Sequence, residues 1–302
     1  MSGSTIPVSV VICTYTLDRW TDLCEAVDSA RNQVPPPAEV ILVVDHNPEL
    51  KARCEAEFPH CVVVENRQAP GLSGARNCGT AEARGWVVAF LDDDAIADKH
   101  WAGRLLAQCE MSGVLGATAK VEPLWIGRQP TWFPDEFLWV VGCSYRGLPD
   151  RRQEIRNLSG GACCLRRELL RSLGGFNSRL GRGKGRLPLS CEETELCVRA
   201  RQSVENVKFM FEPAAVIFHK VPAQRLTWSY FGLRCYAEGL SKAFLAALVG
   251  PRIGLSSERS YVLRTLSTGL GRAMVDVVFR FDLSGLGRAA AIVYGLSCAV
   301  AG

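Results

Sequence analysis

Val87-Val-Ala-Phe-Leu-Asp-Asp-Asp94 joins a short apolar run to three consecutive carboxylates. Apolar, β-branched runs of this length are typical of strands that are buried on both faces of a parallel sheet. Three earlier runs have the same character, namely Val8–Cys13, Val40–Val44 and Cys61–Val64. We therefore expect four strands of one sheet before the acidic triplet.

The segments between these runs predict how the strands connect. Apolar residues recur at helical spacing from Trp20 to Ala30, and residues 71–84 carry the small and charged residues of a second helix. The segment between the second and third runs is predicted to be a loop. Strands that alternate with helices predict an α/β fold with a Rossmann-like, doubly wound, mostly parallel sheet.

Later segments are less regular. Further strands are predicted at Leu158–Leu165, Val207–Phe211 and Ala214–Phe218, and a helix is expected from Glu192. The tryptophan-rich region 121–158 is expected to be irregular and to cover a cleft. The domain prediction is a catalytic domain at 1–225 and a helical, basic C-terminal extension at 226–302.

Polar side chains follow each of the first four runs. They are Thr14 and Tyr15, then Asp45, then Glu65 to Arg67, then Asp92, Asp93 and Asp94. Ligands of doubly wound sheets bind beyond the carboxyl ends of the strands. These residues are therefore predicted to line the functional site.

The acidic triplet is the most specific of these signals. Adjacent carboxylates repel one another, and a hard divalent cation such as Mg²⁺ or Mn²⁺, shared with a substrate diphosphate, would neutralise them. The alternative is a helix N-terminus with acids placed on its dipole. Asp98 is better placed for that task, because it immediately precedes the helix predicted from Lys99 to Met111.

Composition excludes several classes of protein. The 302 residues are 48% hydrophobic and 22% charged, which disfavours disorder. A net charge of +4 is too small to indicate a nucleic-acid partner. The 13 cysteines contain no C-x-x-C pair, and no signal peptide is recognisable, so a reduced, cytoplasmic protein is expected.

The basic surplus lies near the C-terminus. Nine basic and four acidic residues occur from Arg225 onward, among apolar segments with helical character. Such segments can form a helical cap or lie on the anionic inner face of a membrane. The uncharged stretch from Ala289 to Gly302 is short for a span of about 20 residues.

Seven short motifs occur in order along the chain. They are Val8-Ser-Val-Val-Ile-Cys-Thr-Tyr15, Val43-Val-Asp45, Gly71-Leu-Ser-Gly-Ala-Arg-Asn77, the acidic triplet, Gly160-Gly-Ala162, Gly174-Gly-Phe176 and Glu192-Glu-Thr-Glu-Leu196. In their order and spacing they resemble the motifs of the inverting family 2 glycosyltransferases. The resemblance covers about residues 6 to 220. It implies a GT-A fold, a nucleotide-diphospho-sugar donor (a UDP-sugar is expected), Mg²⁺ or Mn²⁺, and inversion at the anomeric carbon.

The resemblance also implies roles for individual residues. The donor-binding residues would be Thr14, Tyr15, Asp45, Arg76, Asp92 and Asp93. The metal would be held by Asp94, with Asp92 and His219. Glu193 would be the catalytic base, paired with Glu192, although the family pattern has aspartate at the position of Glu193. His46-Asn47-Pro48 also departs from the usual residues after Asp45, which leaves the nucleobase open.

The acceptor and the competing functions remain open from the sequence. The acceptor is a hydroxyl of a glycan, a lipid-linked molecule or a small molecule. A retaining transferase on the same fold, a sugar-phosphate nucleotidyltransferase and an inactive binding module are the alternatives. A nucleotidyltransferase is expected to carry a basic, glycine-rich loop after its first strand, where this chain has Thr14 to Asp18. The basic, glycine-rich loop Arg179–Arg186 is either a lid over the diphosphate or a solvated surface loop.

Overall fold

The computed structural model describes residues 6–181, 189–250 and 258–302. Most of the loop predicted as a lid, from residue 182 onward, lies outside the described residues. The described chain divides into two compact units. The first contains residues 6–121, 149–181 and 192–218, and the second contains residues 122–148, 189–191, 219–250 and 258–302.

A nine-stranded sheet forms the centre of the first unit, in the order β3-β2-β1-β4-β8-β6-β9-β5 with β7 paired to β9. The strands are β1 (Ile6–Thr14), β2 (Pro37–Val44), β3 (Val62–Glu65), β4 (Val87–Asp92), β5 (Ala95–Ala97), β6 (Val114–Ile126), β7 (Gln153–Ile155), β8 (Ala162–Arg166) and β9 (Lys208–Pro222). Strands β1 to β4 pair in parallel, whereas β8 is antiparallel to both β4 and β6. The predicted parallel sheet is thus confirmed for the first four strands, and an antiparallel half extends it.

Six helices flank this sheet within the described residues of the first unit. They are α1 (Trp20–Arg31), α2 (Pro48–Glu57), α3 (Leu72–Glu82), α4 (Trp101–Cys109), α5 (Arg167–Ser172) and α6 (Glu192–Ser203). Helix α3 lies close to the sheet because Gly79 has no side chain. A Cβ at this position would lie 2.5 Å from Cγ1 of Val11 and 3.0 Å from Cγ2 of Val43.

Three local predictions were wrong. The expected loop between β2 and β3 contains α2. Asn47 is the N-cap of this helix, and its Oδ1 accepts a hydrogen bond from the Leu50 amide at 3.0 Å. Pro48 lies in the first turn, where proline is favoured. The two strands predicted around Pro213 are the single strand β9. The expected irregular region begins inside β6, which continues to Ile126.

The second unit is mainly helical. It contains α7 (Trp228–Val249), a short turn (Glu258–Ser260), a π-helical turn (Tyr261–Leu266), α8 (Ser267–Arg280) and α9 (Ser284–Ala301). Helix α9 packs against α7 and α8. It is longer than the uncharged stretch seen in the sequence, because it begins at Ser284 and includes Arg288. By length and composition it could cross a membrane, and 22% of it is buried in the protein.

Aromatic rings pack around the start of α7. Trp132 stacks on Trp228 with ring centroids 4.1 Å apart, and both rings contact Phe231. Trp139 donates a hydrogen bond from Nε1 to the Tyr261 hydroxyl at 2.9 Å. These tryptophans therefore stabilise the second unit, as residues that anchor irregular segments commonly do.

The packing of α3 on the sheet can be tested with a glycine pair. Gly79→Ala should lower the free energy of unfolding by about 1–3 kcal/mol, because the new methyl group overlaps Val11. Gly103→Ala in α4 is the matched control, since its nearest neighbour is 3.7 Å away, and it should be neutral or stabilising by up to about 1 kcal/mol. Chemical denaturation measures both, and equal losses would contradict this account of the packing.

Candidate active site

The acidic triplet lies at the carboxyl end of β4. Asp92 is the last residue of this strand, and the next element after Asp94 is the short strand β5. Helix α4 begins only at Trp101, and it is Asp98 whose Oδ1 accepts from the His100 amide at 3.1 Å. The three acids therefore do not cap a helix, and the alternative explanation from the sequence is not supported.

Arg19 neutralises part of the triplet, and sequence analysis did not single it out. Its Nη1 lies 2.9 Å from Oδ1 of Asp93 and 3.3 Å from Oδ2 of Asp94. Burial raises the pKa of Asp93 to about 6, Arg19 opposes that rise, and Asp94 adds to it. Because an arginine already compensates these acids, repulsion within the triplet is not by itself an argument for a metal.

Geometry provides a separate argument for a metal. Asp92, Asp94 and His219 each offer one ligand atom, and these atoms lie within 4.8 Å of one another. His219 is on β9, one residue after the part of that strand that belongs to the first unit. Asp94 and His219 are buried and Asp92 is half-buried. Two carboxylates with one imidazole form a donor set that suits a divalent cation of intermediate hardness.

Arg76 links this group to the acid pair of α6. Its Nη1 lies 2.9 Å from Oε1 of Glu192, and its Nη2 lies 3.5 Å from Oδ1 of Asp92. The guanidinium lies beside a pair of aromatic rings, 5.7 Å from the centroid of Phe90 and 5.5 Å from that of Phe176. Burial opposes its charge, but Glu192 and Asp92 outweigh burial and raise the pKa of Arg76 above its ordinary value.

The two acids of α6 have different surroundings. Glu192 is buried and paired with Arg76, whereas Glu193 is half-buried. Both lie in the first turn of α6, where acidic side chains interact favourably with the helix dipole. Of the pair, Glu193 therefore keeps more access to solvent.

Two glycines form a wall beside these charged groups. A Cβ on Gly160 would lie 2.8 Å from Nη1 of Arg76, and a Cβ on Gly161 would lie 2.0 Å from Oδ2 of Asp92. No larger residue fits without displacing one of them. The Gly160-Gly-Ala162 motif is thus explained by direct packing against two other motifs.

Asp45 organises the side of the site that lies beyond β1 and β2. Its Oδ1 accepts from Nδ2 of Asn66 at 2.6 Å, and its Oδ2 accepts from the Gly71 amide at 2.9 Å. Nδ1 of His46, a residue in the left-handed region with φ 52°, also lies 2.8 Å from Oδ1. The backbone amide of Asp45 donates to the carbonyl of Thr14 at 2.8 Å, so the ends of the two strands meet.

The remaining predicted residues lie at the same strand ends. Thr14 is buried at the end of β1 beside Asp93, and Tyr15 is 56% exposed with Arg19 against its ring. Asn77 is a further contributor, because its side chain accepts from the Phe176 amide at 2.7 Å and donates to the Phe176 carbonyl at 2.9 Å. Asn66, Arg19 and Asn77 support the site. Asn66 was among the residues predicted to line it, whereas Arg19 and Asn77 had not been assigned a role from the sequence.

The glycine wall can be tested through metal affinity. Gly161→Ala should weaken Mn²⁺ binding about 10–100-fold, because the new methyl group displaces the Asp92 carboxylate. Gly271→Ala is the control, since no heavy atom lies within 4 Å of its added Cβ, and it should bind Mn²⁺ like the unmodified chain. Isothermal titration calorimetry measures both variants. Unchanged affinity in Gly161→Ala would remove Asp92 from the metal site.

Comparisons with known proteins identify the family and the fold of this chain. The family model described as glycosyl transferase family 2 matches residues 9–174. The glucosyl-dolichyl phosphate glucuronosyltransferase of Haloferax volcanii is 32% identical over 80% of this chain and 78% of its own length. The succinoglycan biosynthesis protein ExoM of Rhizobium meliloti is 27% identical over 84% of each chain.

Solved structures confirm the fold. The mannosyltransferase PcManGT from Pyrobaculum calidifontis, in complex with GDP-Man and Mn²⁺, superposes with a TM-score of 0.60 at 14% identity, over 99% of this chain and 87% of that one. TarS 1-349 of S. aureus, in complex with UDP, gives a TM-score of 0.54 at 16% identity, over 96% and 89% of the two chains. The chain belongs to glycosyl transferase family 2 and is a glycosyltransferase with the GT-A fold.

Proposed function

We propose that this enzyme moves one sugar from a UDP-sugar to a hydroxyl acceptor with inversion at the anomeric carbon. One observation carries the proposal. Asp92, Asp94 and His219 form a candidate metal group, and buried Arg76 connects Asp92 of this group to Glu192 of the acid pair in α6. A donor diphosphate at the first three residues would place its sugar on the side of the acid pair. That is the arrangement that a displacement at the anomeric carbon requires.

The nucleoside would bind at the ends of β1 and β2. Asp45 already contacts three nitrogen donors, from Asn66, Gly71 and His46. A carboxylate offers about four acceptor positions, so one remains for an N–H group of the base. Thr14 and exposed Tyr15 border the same position, where the Tyr15 ring can stack on the base.

Arg76 and Asp93 would act on the donor through other residues, whereas Asp92 would contact it. Arg76 is 2% exposed, and its guanidinium is engaged by Glu192 and Asp92. Asp93 is 4% exposed and paired with Arg19. We therefore assign Arg76 and Asp93 as positioning residues, and we assign Asp92 to the metal and the donor.

Among the expected cations, we favour Mn²⁺ over Mg²⁺. Mg²⁺ binds mainly oxygen ligands, whereas imidazole is more readily accepted by softer divalent ions. His219 contributes the one nitrogen atom of the group. When bound, the cation would stabilise the negative charge of the departing diphosphate.

The chemical step would be a direct displacement assisted by Glu193. The acceptor oxygen forms a bond to the anomeric carbon while the bond from that carbon to the phosphate oxygen breaks. The nucleoside diphosphate leaves with the bonding electron pair, and the proton of the acceptor hydroxyl passes to the Glu193 carboxylate. Glu192, held by Arg76, would fix the first turn of α6 beside it.

The acceptor we propose is lipid-linked, and the enzyme would work on the cytoplasmic face of a membrane. The name of the Haloferax volcanii relative includes a dolichyl phosphate substrate. The helices of the second unit also carry many exposed apolar residues, which suits a lipid surface. The division into a catalytic part at 1–225 and a cap or membrane-surface part at 226–302 stays a prediction.

Donor binding can be tested by thermal shift. The melting temperature is measured with UDP-, GDP- and dTDP-sugars, each with and without Mn²⁺. Ligands that bind the folded state raise the melting temperature. We expect the largest increase from a UDP-sugar with Mn²⁺. Asp94→Ala should lose the Mn²⁺-dependent part of that shift, while Asp150→Ala, at an exposed acid, should retain it. An equal shift in Asp94→Ala would exclude Asp94 as a metal ligand, and no shift with any donor would overturn the proposed function.

The acid pair can be tested by comparing two isosteric changes. Glu193→Gln should lower kcat by about 10²–10⁴-fold with little change in melting temperature, because it removes the base. Glu192→Gln should instead destabilise the fold by about 3–5 kcal/mol, because it leaves the buried Arg76 without its nearest acid. Initial rates and thermal denaturation separate the two effects. If Glu193→Gln kept full kcat, Glu193 would not be the base.

A further inference from the structure

Exposed apolar side chains are concentrated in the second unit. Among the described residues, 16 of the 23 exposed large hydrophobic side chains lie between Trp228 and Val300. The other seven are scattered singly or in pairs over the rest of the chain. An uneven distribution of this kind indicates a surface that is covered in use.

The most exposed members form the tip of the hairpin between α8 and α9. Phe279, Phe281 and Leu283 are 75%, 86% and 72% exposed. Met274, Val275 and Val278 continue the apolar surface along α8, and Leu286 begins it on α9. The tip is thus the end of a larger apolar strip.

The backbone at the tip is a second, independent observation. Phe281 ends α8 in the left-handed region, with φ 54°. Glycine is the usual residue at this position, and a bulky side chain is strained there. A strained phenyl ring that is almost fully exposed contributes little to the fold, so its use is expected to lie outside the molecule.

The hairpin that carries the tip is firmly built. A Cβ on Gly285 would lie 2.4 Å from the carbonyl of Ala273, so the two helices are in close contact. Arg288 donates to Asp276 and to Asp282, each at 2.9 Å, and Arg280 donates to Asp276 at 3.0 Å. The two acids near the tip are therefore neutralised by neighbouring arginines.

The charge of the helices that carry the tip favours one kind of partner. The described residues from Trp228 to Gly302 carry seven basic and four acidic side chains. Arg280 directly adjoins Phe279 and Phe281, and 74% of its side chain is exposed although it pairs with Asp276. Exposed apolar rings on helices with a basic surplus match the interface of an anionic bilayer, where rings enter the acyl boundary and basic groups meet phosphates.

We propose that the hairpin tip, residues 279–283, inserts into the surface of an anionic phospholipid bilayer and holds the enzyme at its acceptor. The inference deepens the proposed function, because it names the part of the chain that meets the membrane of a lipid-linked acceptor. Insertion is shallow and involves the tip, while α9 remains packed on α7 and α8.

Vesicle flotation of the full chain tests the proposal. The chain should float with vesicles of phosphatidylcholine and phosphatidylglycerol, and less with phosphatidylcholine alone. The triple variant Phe279→Ser, Phe281→Ser, Leu283→Ser should lose at least about tenfold in vesicle affinity. Leu124→Ser with Ile126→Ser, two exposed apolar residues of β6, is the matched control and should float like the unmodified chain.

Phe281→Gly gives the sharpest outcome. Glycine relieves the left-handed strain, so the melting temperature should stay the same or rise, while flotation weakens. Equal flotation of the unmodified chain and the triple variant would overturn the proposal. A second outcome would also overturn the proposal. If the unmodified chain formed a dimer and bound no vesicles, and the triple variant were a monomer, the tip would contact a second copy of the chain and not a bilayer.

The same variants separate this inference from the proposed function. The thermal shift with a UDP-sugar and Mn²⁺ should be unchanged in the triple variant, since the tip is not part of the proposed donor site. Flotation of the unmodified chain without any thermal shift from a donor would support membrane insertion of the tip and reject the proposed function. A thermal shift from the donor without flotation would support the proposed function and reject membrane insertion.

Discussion

The buried ion pairs of Arg76 are the interactions on which the candidate site depends. This side chain is 2% exposed, yet it carries a charge that must be compensated in a medium of low dielectric. Glu192, next to Nη1, and Asp92, next to Nη2, supply the compensation. Because one guanidinium contacts both acids, the end of β4 and the first turn of α6 are fixed relative to each other.

This constraint explains why short motifs far apart in the sequence occur together. Arg76 and Glu192 are 116 positions apart, and glycines 160 and 161 fill the space beside the ion pairs. Asn77, the next residue after Arg76, holds the backbone at Phe176 through two hydrogen bonds. Five of the motifs, including the acidic triplet through Asp92, are therefore parts of one packed unit, and changing one member would disturb the others.

The first four strands and the positions of the motifs could be predicted from the sequence. The contacts between residues that are distant in the sequence could not. Apolar runs located the first four strands to within a few residues, because short, β-branched runs are typical of strands in a parallel sheet. Helix α2 was missed although Asn47 and Pro48 carry a helix-start signal, since the same two residues also favour a turn. Arg19 could not be assigned, because its partner Asp93 is 74 positions away and no local pattern reports such a contact. Strand β9 was divided in two because proline usually interrupts a strand.

The balance of charges in the site gives a second argument for a bound cation. The sequence argument counted three acids and no compensating base, whereas the structure brings Arg19 and Arg76 against them. The four carboxylates of Asp92, Asp93, Asp94 and Glu192 face these two guanidinium groups, which leaves two negative charges among the six groups. A divalent cation would compensate negative charge that remains among these six groups. The two arginines thus reduce the charge that such an ion has to balance, and the position of His219 beside Asp92 and Asp94 indicates where that ion would bind.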